Sequence, residues 1–433
     1  MHILVAGAGH GGLAAAGLLA RSGAQVTVFE RGAESALGYD WTDVLNLACF
    51  REAGIPLPAP HECRPANDMT FISPGGKTTT AHASPTESVM ERRAVLRHLV
   101  AFARDSGARL AFETEVVKPL IEGNRVAGLA VKEQNGVREH TADLVIDAAG
   151  MDSPVRSQLP EAFGIERTLR RDQYFTVYRA FYSHTGEVSP GGPWSVYFFP
   201  LGRRSIAWIA EEEGYADLLC GSFEDTDRAY AEQVRQSLHE RHPGMGGEIL
   251  RGGQVAKIPV RRPLSRMVAD GYAAVGDSAA MTVPLVGSGI CNAVRAGQLL
   301  AQTVLSGGGG CGAAQLWPYQ AEYMRRVGAV HASLDVLKSY MLSLRPEQID
   351  TIFGRRLLET PEMSKARIGE EIRLTLPQMA ARGLRGAGHL PLLLRTASRL
   401  AASQRLKRHA LRIPARYDED AVKAWARVYD GIG

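Results

Sequence analysis

A glycine-rich turn between two short apolar strands limits the fold more than any other feature of the sequence. The segment HILVAGAG, beginning at His2, predicts a buried strand that ends in glycine. The pattern G-x-G-x-x-G occupies residues 7–12, a helix-forming stretch follows, and AQVTVFER predicts a second strand. Gly7, Gly9 and Gly12 permit a tight turn and a close backbone approach to a pyrophosphate, whose charge the helix N-terminus favours. This βαβ unit predicts dinucleotide binding.

Glu30 stands at the end of the second predicted strand. An acidic side chain at this position accepts hydrogen bonds from the 2′- and 3′-hydroxyls of a ribose. Because its carboxylate would repel a 2′-phosphate, NADP is not expected in this loop. The dinucleotide is therefore NAD or FAD.

Composition excludes several classes of protein. A chain of 433 residues exceeds one ordinary core, so we expect several domains or one large discontinuous fold. Apolar residues make up 45% of the chain, but no apolar run reaches the roughly 18 residues that span a bilayer. The N-terminus lacks a basic leader and the five cysteines form no C-x-x-C pair, which predicts a cytoplasmic protein without disulfides or a metal site. The net charge of +4 does not indicate nucleic acid binding.

Three later segments help to separate NAD from FAD. The segment MERRAVLRHLVAFARDSGARL predicts an amphipathic helix that begins near Arg93, whose cation could reach the phosphates. The segment ADLVIDAAGMDSPVR predicts a buried strand that ends in the turn Ala149-Gly150. A third strand ends at Gly276 and Asp277, where a carboxylate suits sugar-like hydroxyls. FAD carries a ribityl chain and NAD does not, so the third segment favours FAD.

This order of motifs resembles the superfamily of FAD-dependent aromatic hydroxylases, similar to p-hydroxybenzoate hydroxylase, and geranylgeranyl reductases, with geranylgeranyl reductases nearest. The resemblance covers about residues 1–306. It implies that the glycine loop and Glu30 bind the ADP half of FAD, Arg93 the pyrophosphate side, and Asp277 the ribityl chain. It also implies that the loop 284–290 precedes a helix whose N-terminus faces the flavin. The implied cofactor-binding set is Gly7, Gly9, Gly12, Glu30, Arg93, Gly276, Asp277, Pro284, Gly287, Gly289 and Ile290.

The middle motif departs from the family pattern. Hydroxylases of this superfamily usually have Asp-Gly where this chain has Ala149-Gly150. The Asp-Gly pair is associated with reduction of the flavin by NADPH, so its absence makes direct reduction by NADPH doubtful. The electron donor stays open between NAD(P)H and a ferredoxin or reductase protein.

The patterning and the resemblance together predict an α/β fold in three parts. A discontinuous, Rossmann-like FAD-binding domain comprises residues 1–66, 88–157 and 255–306. Alternating aromatic and polar residues predict an antiparallel-sheet substrate domain over residues 67–87 and 158–254, with a hairpin in TFISPGGKTTTAH. Helical periodicity without strand signals predicts an α-helical region over residues 313–433.

The segment WSVYFFPLG bears on the substrate. Geranylgeranyl reductases carry an aromatic-x-Trp-x-Phe-Pro pattern on a strand that faces the flavin and the lipid tail. Here Phe199 and Pro200 match this pattern, and Tyr197 stands in place of the tryptophan. Tyr197 and Phe199 are therefore candidate substrate contacts or, alternatively, ordinary sheet core. Cys49 is a further candidate on the substrate side, and no catalytic residue is identified.

Three functions remain open from the sequence. The favoured one is an FAD-dependent oxidoreductase that reduces a carbon–carbon double bond of a small apolar, isoprenoid-like substrate by hydride transfer. The alternative is an FAD-dependent monooxygenase that hydroxylates an aromatic or lipophilic substrate. The third is a flavin-bearing binding or electron-transfer protein. Halogenation is disfavoured because the paired tryptophans of flavin-dependent halogenases are missing.

Positive charge is concentrated near the C-terminus. Residues 380–416 contain nine Lys or Arg residues, no acid and several leucines. This pattern predicts either a solvated helical face or a peripheral contact with an anionic membrane surface.

Overall fold

The computed structural model describes residues 1–187, 189 and 192–432. It is a mixed α/β fold in which a mainly parallel sheet, a mainly antiparallel sheet and two smaller 3-stranded sheets are followed by a helical region, and the predicted fold class is confirmed. The strands are β1 (His2–Ala6), β2 (Gln25–Phe29), β3 (Thr42–Asn46), β4 (Arg64–Pro65), β5 (Met69–Ile72), β6 (Thr78–Ala81), β7 (Glu87–Glu91), β8 (Arg109–Ala111), β9 (Glu115–Glu122), β10 (Arg125–Glu133), β11 (Gly136–Thr141), β12 (Leu144–Asp147), β13 (Tyr174–His184), β14 (Trp194–Phe198), β15 (Ser205–Glu212), β16 (Tyr215–Ser222), β17 (Met245–Pro259), β18 (Val268–Ala269) and β19 (Tyr272–Ala274).

The α-helices follow the same chain order. They are α1 (His10–Arg21), α2 (Ala48–Ala53), α3 (Arg92–Asp105), α4 (Arg228–Ser237), α5 (Ile290–Ser306), α6 (Ala313–Tyr323), α7 (Ala329–Leu342), α8 (Pro346–Gly354), α9 (Thr360–Arg367), α10 (Leu376–Arg385), α11 (Leu390–Ala410) and α12 (Glu419–Gly431).

The first sheet is built on the predicted βαβ unit. Its strand order is β18-β19-β12-β1-β2-β8, and β1 pairs in parallel with both β2 and β12. The strands β1 and β12 are almost entirely buried, as expected for a parallel sheet with helices on its faces. Because the carboxyl ends of parallel strands meet at one edge, the turns after β1, β12 and β19 lie together.

Helix α1 packs on this sheet and on α5 with very small separations. A Cβ added at Gly12 would lie 2.5 Å from Ala148 Cβ, and one added at Gly297 would lie 2.4 Å from the carbonyl oxygen of Gly11. These distances are shorter than any normal carbon contact. Glycine at Gly12 and Gly297 is therefore what lets the two helices approach the sheet and each other.

The second sheet has the order β17-β13-β16-β15-β14-β5-β6. Its strands pair antiparallel except for β14 and β5, which are parallel. The hairpin predicted near residue 75 forms β5 and β6 at one edge of this sheet. Strand β17 continues to Pro259, so the sheet extends beyond the boundary predicted at residue 254.

Helices α6 to α12 follow the sheets. Helices α6 and α7 are joined without a break by one π-helical turn, Met324–Gly328. Helix α7 packs against α11, and helix α9 packs against β6. The helical region thus covers one face of the second sheet, and the cavities described below lie between them.

Candidate functional site

The glycine loop has the geometry expected for a dinucleotide. Gly7 has a φ of +90°, and a Cβ there would lie 2.7 Å from the carbonyl oxygen of Ala148. The half-buried Glu30 accepts hydrogen bonds from the backbone N–H groups of Ala8 and Gly32, each at 2.9 Å. A carboxylate has about four acceptor positions, so Glu30 keeps capacity for hydroxyl groups. The loop, the start of α1 and this acid therefore lie together, and their role in binding an ADP group stays a prediction.

A buried acid that the sequence reasoning missed connects the other two turns. Asp147 ends β12 and is fully buried. It accepts hydrogen bonds from the hydroxyls of Ser153 at 2.6 Å, of Ser278 at 2.9 Å and of Tyr272 at 2.9 Å. Ser278 also accepts a hydrogen bond from the N–H of Gly150 at 2.9 Å. Asp147 and Ser278 therefore hold the Ala149-Gly150 turn against the Gly276-Asp277 turn.

Asp277 lies in a short helical turn directly after β19 and is half-buried. Burial raises the pKa of its carboxyl, and the cations of Arg92 and Arg156 oppose that shift. A Cβ added at Gly289 would lie 3.5 Å from Asp277 Oδ1, so the acid is adjacent to the residue that precedes α5. The structure thus brings Gly276, Asp277 and Gly289 into one region.

Two consecutive arginines begin α3, and their environments differ. Arg92 donates two hydrogen bonds of 2.6 Å to Asp43 and lines the main cavity, and its charge lowers the pKa of Asp277 more than that of Arg156 does. The Nε of Arg93 lies 3.4 Å from the carbonyl oxygen of Gly38, and Arg93 is absent from the residues that line the two cavities. Arg93 stays a prediction, while the geometry favours its neighbour Arg92 as the cation of the site.

An unsatisfied polar atom lies at the glycine loop. His10, the first residue of α1, has a buried Nε2 without a hydrogen-bond partner. Burial, followed by the charge of Arg92, lowers the pKa of His10 to about 4, so its ring is neutral near pH 7. A neutral ring with an unpaired nitrogen, two acids for hydroxyls and a cation for phosphates together match the donor and acceptor groups of FAD. The residues present therefore fit this cofactor.

The loop from Pro284 to Ile290 forms a tight turn before α5. The N–H of Gly287 donates to the carbonyl oxygen of Val283 at 2.8 Å, and Gly287 has a φ of +69°. Gly289 precedes the first residue of α5. The first backbone N–H groups of a helix have no partner within it and favour negative charge nearby. Cys291 and Asn292, in the first turn of α5, line the main cavity.

The main cavity has a volume of about 490 Å³. One wall is the second sheet, where the side chains of Trp194, Val196 and Phe198 on β14 face inward together with Trp208 on β15. The opposite wall comprises the loop after Pro284, the start of α5, and residues of α7 and of the segment after α9. The cavity therefore joins the predicted flavin end of the site to an aromatic sheet surface.

A second cavity of about 200 Å³ continues from the first between the sheet and the C-terminal helices. The two share an apolar wall that includes Phe71, Phe198 and Leu285. The lining of the second cavity is almost entirely apolar and comes from the second sheet, the loop after Pro284, and helices α7, α8, α9 and α11 with their connections. Together the two cavities form one chamber. Its first part is lined by both polar and apolar side chains, and its second part is almost entirely apolar.

Arg367 stands at the junction of the two cavities. Its side chain is buried, its Nε lies 3.2 Å from Glu87 Oε1, and one terminal nitrogen has no hydrogen-bond partner. A buried donor without a partner costs free energy unless a ligand or water satisfies it. The sequence held no signal for this residue, because its partners lie far away in the chain.

The predicted substrate contacts Tyr197 and Phe199 require correction. Side chains alternate along a strand, and on β14 residues 194, 196 and 198 face the cavity. Tyr197 points to the other side of the sheet, where its hydroxyl lies 2.8 Å from His242 Nε2. Phe199 follows the strand with a φ of +54° and is buried in the core beside Val196. Neither side chain lines the main cavity or the second cavity described above.

The candidate Cys49 also lies behind the cavity wall. It is fully buried on α2, whereas Cys291 lines the cavity at the start of α5. The hydrogen bond between the two thiols raises the pKa of Cys49 and lowers the pKa of Cys291. Of the two cysteines, only Cys291 is placed to meet a ligand in the chamber.

Other site types find no support in the described residues. No group of three or more His, Cys, Asp or Glu side chains among them could hold a metal ion. Within the described ranges, no helix combines the length and the apolar character that a membrane crossing requires.

Comparison with known proteins agrees with the geometry. Residues 1–330 match the family model described as FAD binding domain. A digeranylgeranylglycerophospholipid reductase from Sulfolobus acidocaldarius is 24% identical over 458 aligned residues, which cover 99% of this chain and 96% of the relative.

Solved structures show the same fold. A geranylgeranyl bacteriochlorophyll reductase-like protein from Thermoplasma acidophilum has a TM-score of 0.72 and 21% identity, with 92% of this chain and 98% of that chain covered. A probable FAD-dependent monooxygenase from Pseudomonas aeruginosa has a TM-score of 0.60 and 19% identity, with 82% and 100% covered. At these identities the likeness concerns the fold.

Proposed function

Since the chain belongs to the FAD binding domain family, we propose that it is an FAD-dependent reductase that saturates a carbon–carbon double bond of an apolar, isoprenoid-like substrate. The observation that carries the proposal is the chamber, in which an almost entirely apolar second cavity continues from the cavity at the predicted flavin end. Burial of a long hydrocarbon chain there is favourable by roughly 25 cal/mol per Å² of apolar surface removed from water. The relative from Sulfolobus acidocaldarius, a digeranylgeranylglycerophospholipid reductase, supports this substrate class.

The residues of the glycine loop and its partners would hold the cofactor. Glu30 would accept hydrogen bonds from the ribose, Asp277 would accept them from the ribityl hydroxyls, and Arg92 would compensate phosphate charge beside the start of α1. FAD, once bound and reduced, supplies a hydride to the substrate. The N-terminus of α5 and the loop after Pro284 favour negative charge at the cofactor end of the chamber.

The chamber itself orients the substrate. The aromatic side chains of Trp194, Phe198 and Trp208 form the wall along which a flat alkene can lie. The unpaired nitrogen of Arg367, at the junction of the cavities, is available to an oxygen atom of the substrate. The apolar lining beyond it would hold the hydrocarbon tail.

A product analysis tests the function. The protein is reconstituted with FAD, reduced with dithionite under anaerobic conditions and incubated with a geranylgeranyl lipid. The mass of the product is then measured by mass spectrometry. A gain of two hydrogens for each double bond supports the proposal. A product that gains an oxygen atom only after air is admitted would instead establish the monooxygenase function. Lipid binding without any turnover would favour a flavin-bearing binding or electron-transfer protein.

The electron donor can be identified in the same preparation. We propose that a ferredoxin or a reductase protein, rather than NADPH, reduces the cofactor, because Ala149 replaces the acid of the usual Asp-Gly motif. The measurement is the loss of flavin absorbance after mixing with NADPH, NADH or reduced ferredoxin. Rapid bleaching by NADPH alone contradicts this part of the proposal and leaves the reductase function intact.

A further inference from the structure

Large apolar side chains are exposed along two consecutive helices of the C-terminal region. Leu376 and Leu384 of α10 are 77% and 81% exposed, and Leu390 and Leu394 of α11 are 59% and 63% exposed. Single exposed leucines are normal on soluble proteins, whereas several on two consecutive helices are more typical of an interaction surface. We call these four side chains, with the exposed Met379 between them, the leucine face.

Helix geometry places Leu390 and Leu394, the part of the leucine face on α11, on the outward side of that helix. The buried side chains of this helix recur at Leu392, Ser403, Leu406 and Ala410. Leu390 and Leu394 are one turn apart on the opposite side, and Arg405 and Arg408 continue the same strip toward the C-terminus. The outer strip of α11 therefore changes from apolar to cationic along its length.

The chain segment that carries most of the leucine face is basic. Residues 380–416 contain nine Lys or Arg residues and no acid. Arg382 donates a hydrogen bond to Glu362 and Arg385 donates one to Glu359, and these ion pairs attach α10 to α9. Arg405 and Arg408 are exposed, and the described structure gives neither an ion pair. Exposed cations beside exposed leucines are the pattern of a segment that lies in the interface of an anionic bilayer.

The leucine face is also the outer side of the chamber wall. Ile372 and Leu374, which lead into α10, line the second cavity, and so do Thr396 and Leu400 of α11. The inner strip of α11 thus contacts the cavity while its outer strip carries Leu390 and Leu394. Only the thickness of this helical layer separates the apolar end of the chamber from the leucine face.

We propose that the outer faces of α10 and α11 dock on an anionic lipid bilayer and that the apolar substrate passes from the bilayer into the second cavity beside them. The docking step stands on the leucine face and its cations. The transfer step rests on the proposed function, because it requires an isoprenoid-like substrate that resides among lipids. Exposed leucines enter the headgroup boundary, and the cations contact the lipid phosphates.

A sedimentation experiment with paired variants tests docking without any substrate. The probe is vesicles of equal parts phosphatidylcholine and phosphatidylglycerol, with pure phosphatidylcholine as the neutral comparison. The variant is Leu384→Glu with Leu394→Glu, and the matched control is Val137→Glu with Leu250→Glu, two residues that are 61% and 50% exposed on β11 and β17. Both pairs add two charges at exposed positions, where substitutions change stability little. Circular dichroism and thermal midpoints verify that each is folded.

We expect the wild type and the control to sediment with anionic vesicles at low salt and to be released at high salt, because surface electrostatics are screened. Leu384→Glu with Leu394→Glu should weaken vesicle binding by about tenfold or more, from lost apolar insertion and added like charge. Equal binding of the variant and the wild type overturns the proposal. The proposal is also overturned if the wild type does not bind vesicles but forms dimers that the variant does not form, since the leucine face would then be an interface between copies of the chain.

The two steps fail separately. With a geranylgeranyl lipid embedded in anionic vesicles, the variant should lose turnover in proportion to binding, whereas in detergent micelles its turnover should equal that of the wild type. Vesicle binding without alkene reduction in either medium refutes the proposed function and leaves docking in place. Turnover in vesicles that is unaffected by the variant refutes the transfer step.

Discussion

The contact between α1 and the first sheet makes the substitution Gly12→Ala informative. The new Cβ would lie 2.5 Å from Ala148 Cβ and 3.0 Å from both the carbonyl oxygen of Gly7 and Val5 Cγ1. Carbon atoms prefer separations of about 3.5–4.0 Å, so the overlap with Ala148 is about 1 Å. Two of these three atoms are backbone or Cβ atoms, which cannot rotate away, and α1 must shift.

The expected size follows from two opposing terms. Alanine is better than glycine in a helix by at most about 1 kcal/mol, and overpacking a rigid contact costs about 1–3 kcal/mol. Gly12→Ala should therefore lower the free energy of unfolding by about 1–2 kcal/mol. It should also weaken FAD binding by about tenfold, because the shifted N-terminus of α1 no longer points at the phosphates.

A control with the same chemistry is available in α10. Gly383 has no atom within 4 Å of an added Cβ, so Gly383→Ala should stabilise the protein by up to about 1 kcal/mol and leave FAD binding unchanged. Adding Ala148→Gly to Gly12→Ala removes the closest contact and should restore part of the loss in a double-mutant cycle. The assays are urea unfolding followed by fluorescence and a titration with FAD. If Gly12→Ala and Gly383→Ala unfold alike, the steric reasoning is refuted.

Three further predictions concern the chamber. Trp194→Ala should raise the KM for the alkene several-fold, whereas Tyr197→Phe should leave KM unchanged because that hydroxyl meets His242 behind the sheet; steady-state kinetics decide this, and equal effects contradict the assigned faces. Iodoacetamide should label Cys291 before Cys49, as its thiol lines the cavity and has the lower pKa, and peptide mass mapping would detect the reverse order. Burial lowers the pKa of His331 to about 3, so this residue contributes stability that is present above pH 6.5 and is lost as pH falls toward 3; His331→Asn should flatten this part of the stability profile, and unchanged curvature in urea melts would count against it.

Local patterns were enough to predict the cofactor half of the fold. The glycine loop and the acid Glu30 belong to one short stretch of chain, so spacing alone places them at the end of β1 and of β2. The hairpin of β5 and β6 was likewise predictable, because Pro-Gly-Gly separates two β-rich segments. In each case the determining interactions are between near neighbours.

The substrate wall could not be predicted from local pattern. Shifting the alternation of a strand by one residue moves every side chain to the other face of the sheet. The motif comparison predicted that Tyr197 faces the substrate, whereas in the structure Trp194, Val196 and Phe198 face the cavity. The start of α3 has the same ambiguity, since Arg92 and Arg93 are adjacent and only the fold shows which one turns toward Asp277. Tertiary packing determines which side chains face the site, and a single sequence does not show that packing.

The remaining site residues depend on contacts between distant parts of the chain. Asp147 meets Ser278 and Tyr272 only because β12 and β19 are neighbours in the sheet. Arg367 reaches Glu87 from the other end of the sequence. No periodicity or motif connects such positions, so they became visible only in the structure.

The π-helical turn Met324–Gly328 determines which strip of α7 the chamber receives. Each residue of an α-helix advances the side chain by about 100°, and a π turn accommodates one extra residue without a break. Val330 and His331, directly after this turn, line the main cavity, and Leu337 lines the second. Deleting one residue of the turn would leave a helix of nearly the same length and composition but would rotate these side chains away from the chamber. The shape of the pocket could thus diverge between related chains through a one-residue length change, without any substitution in the residues that line it.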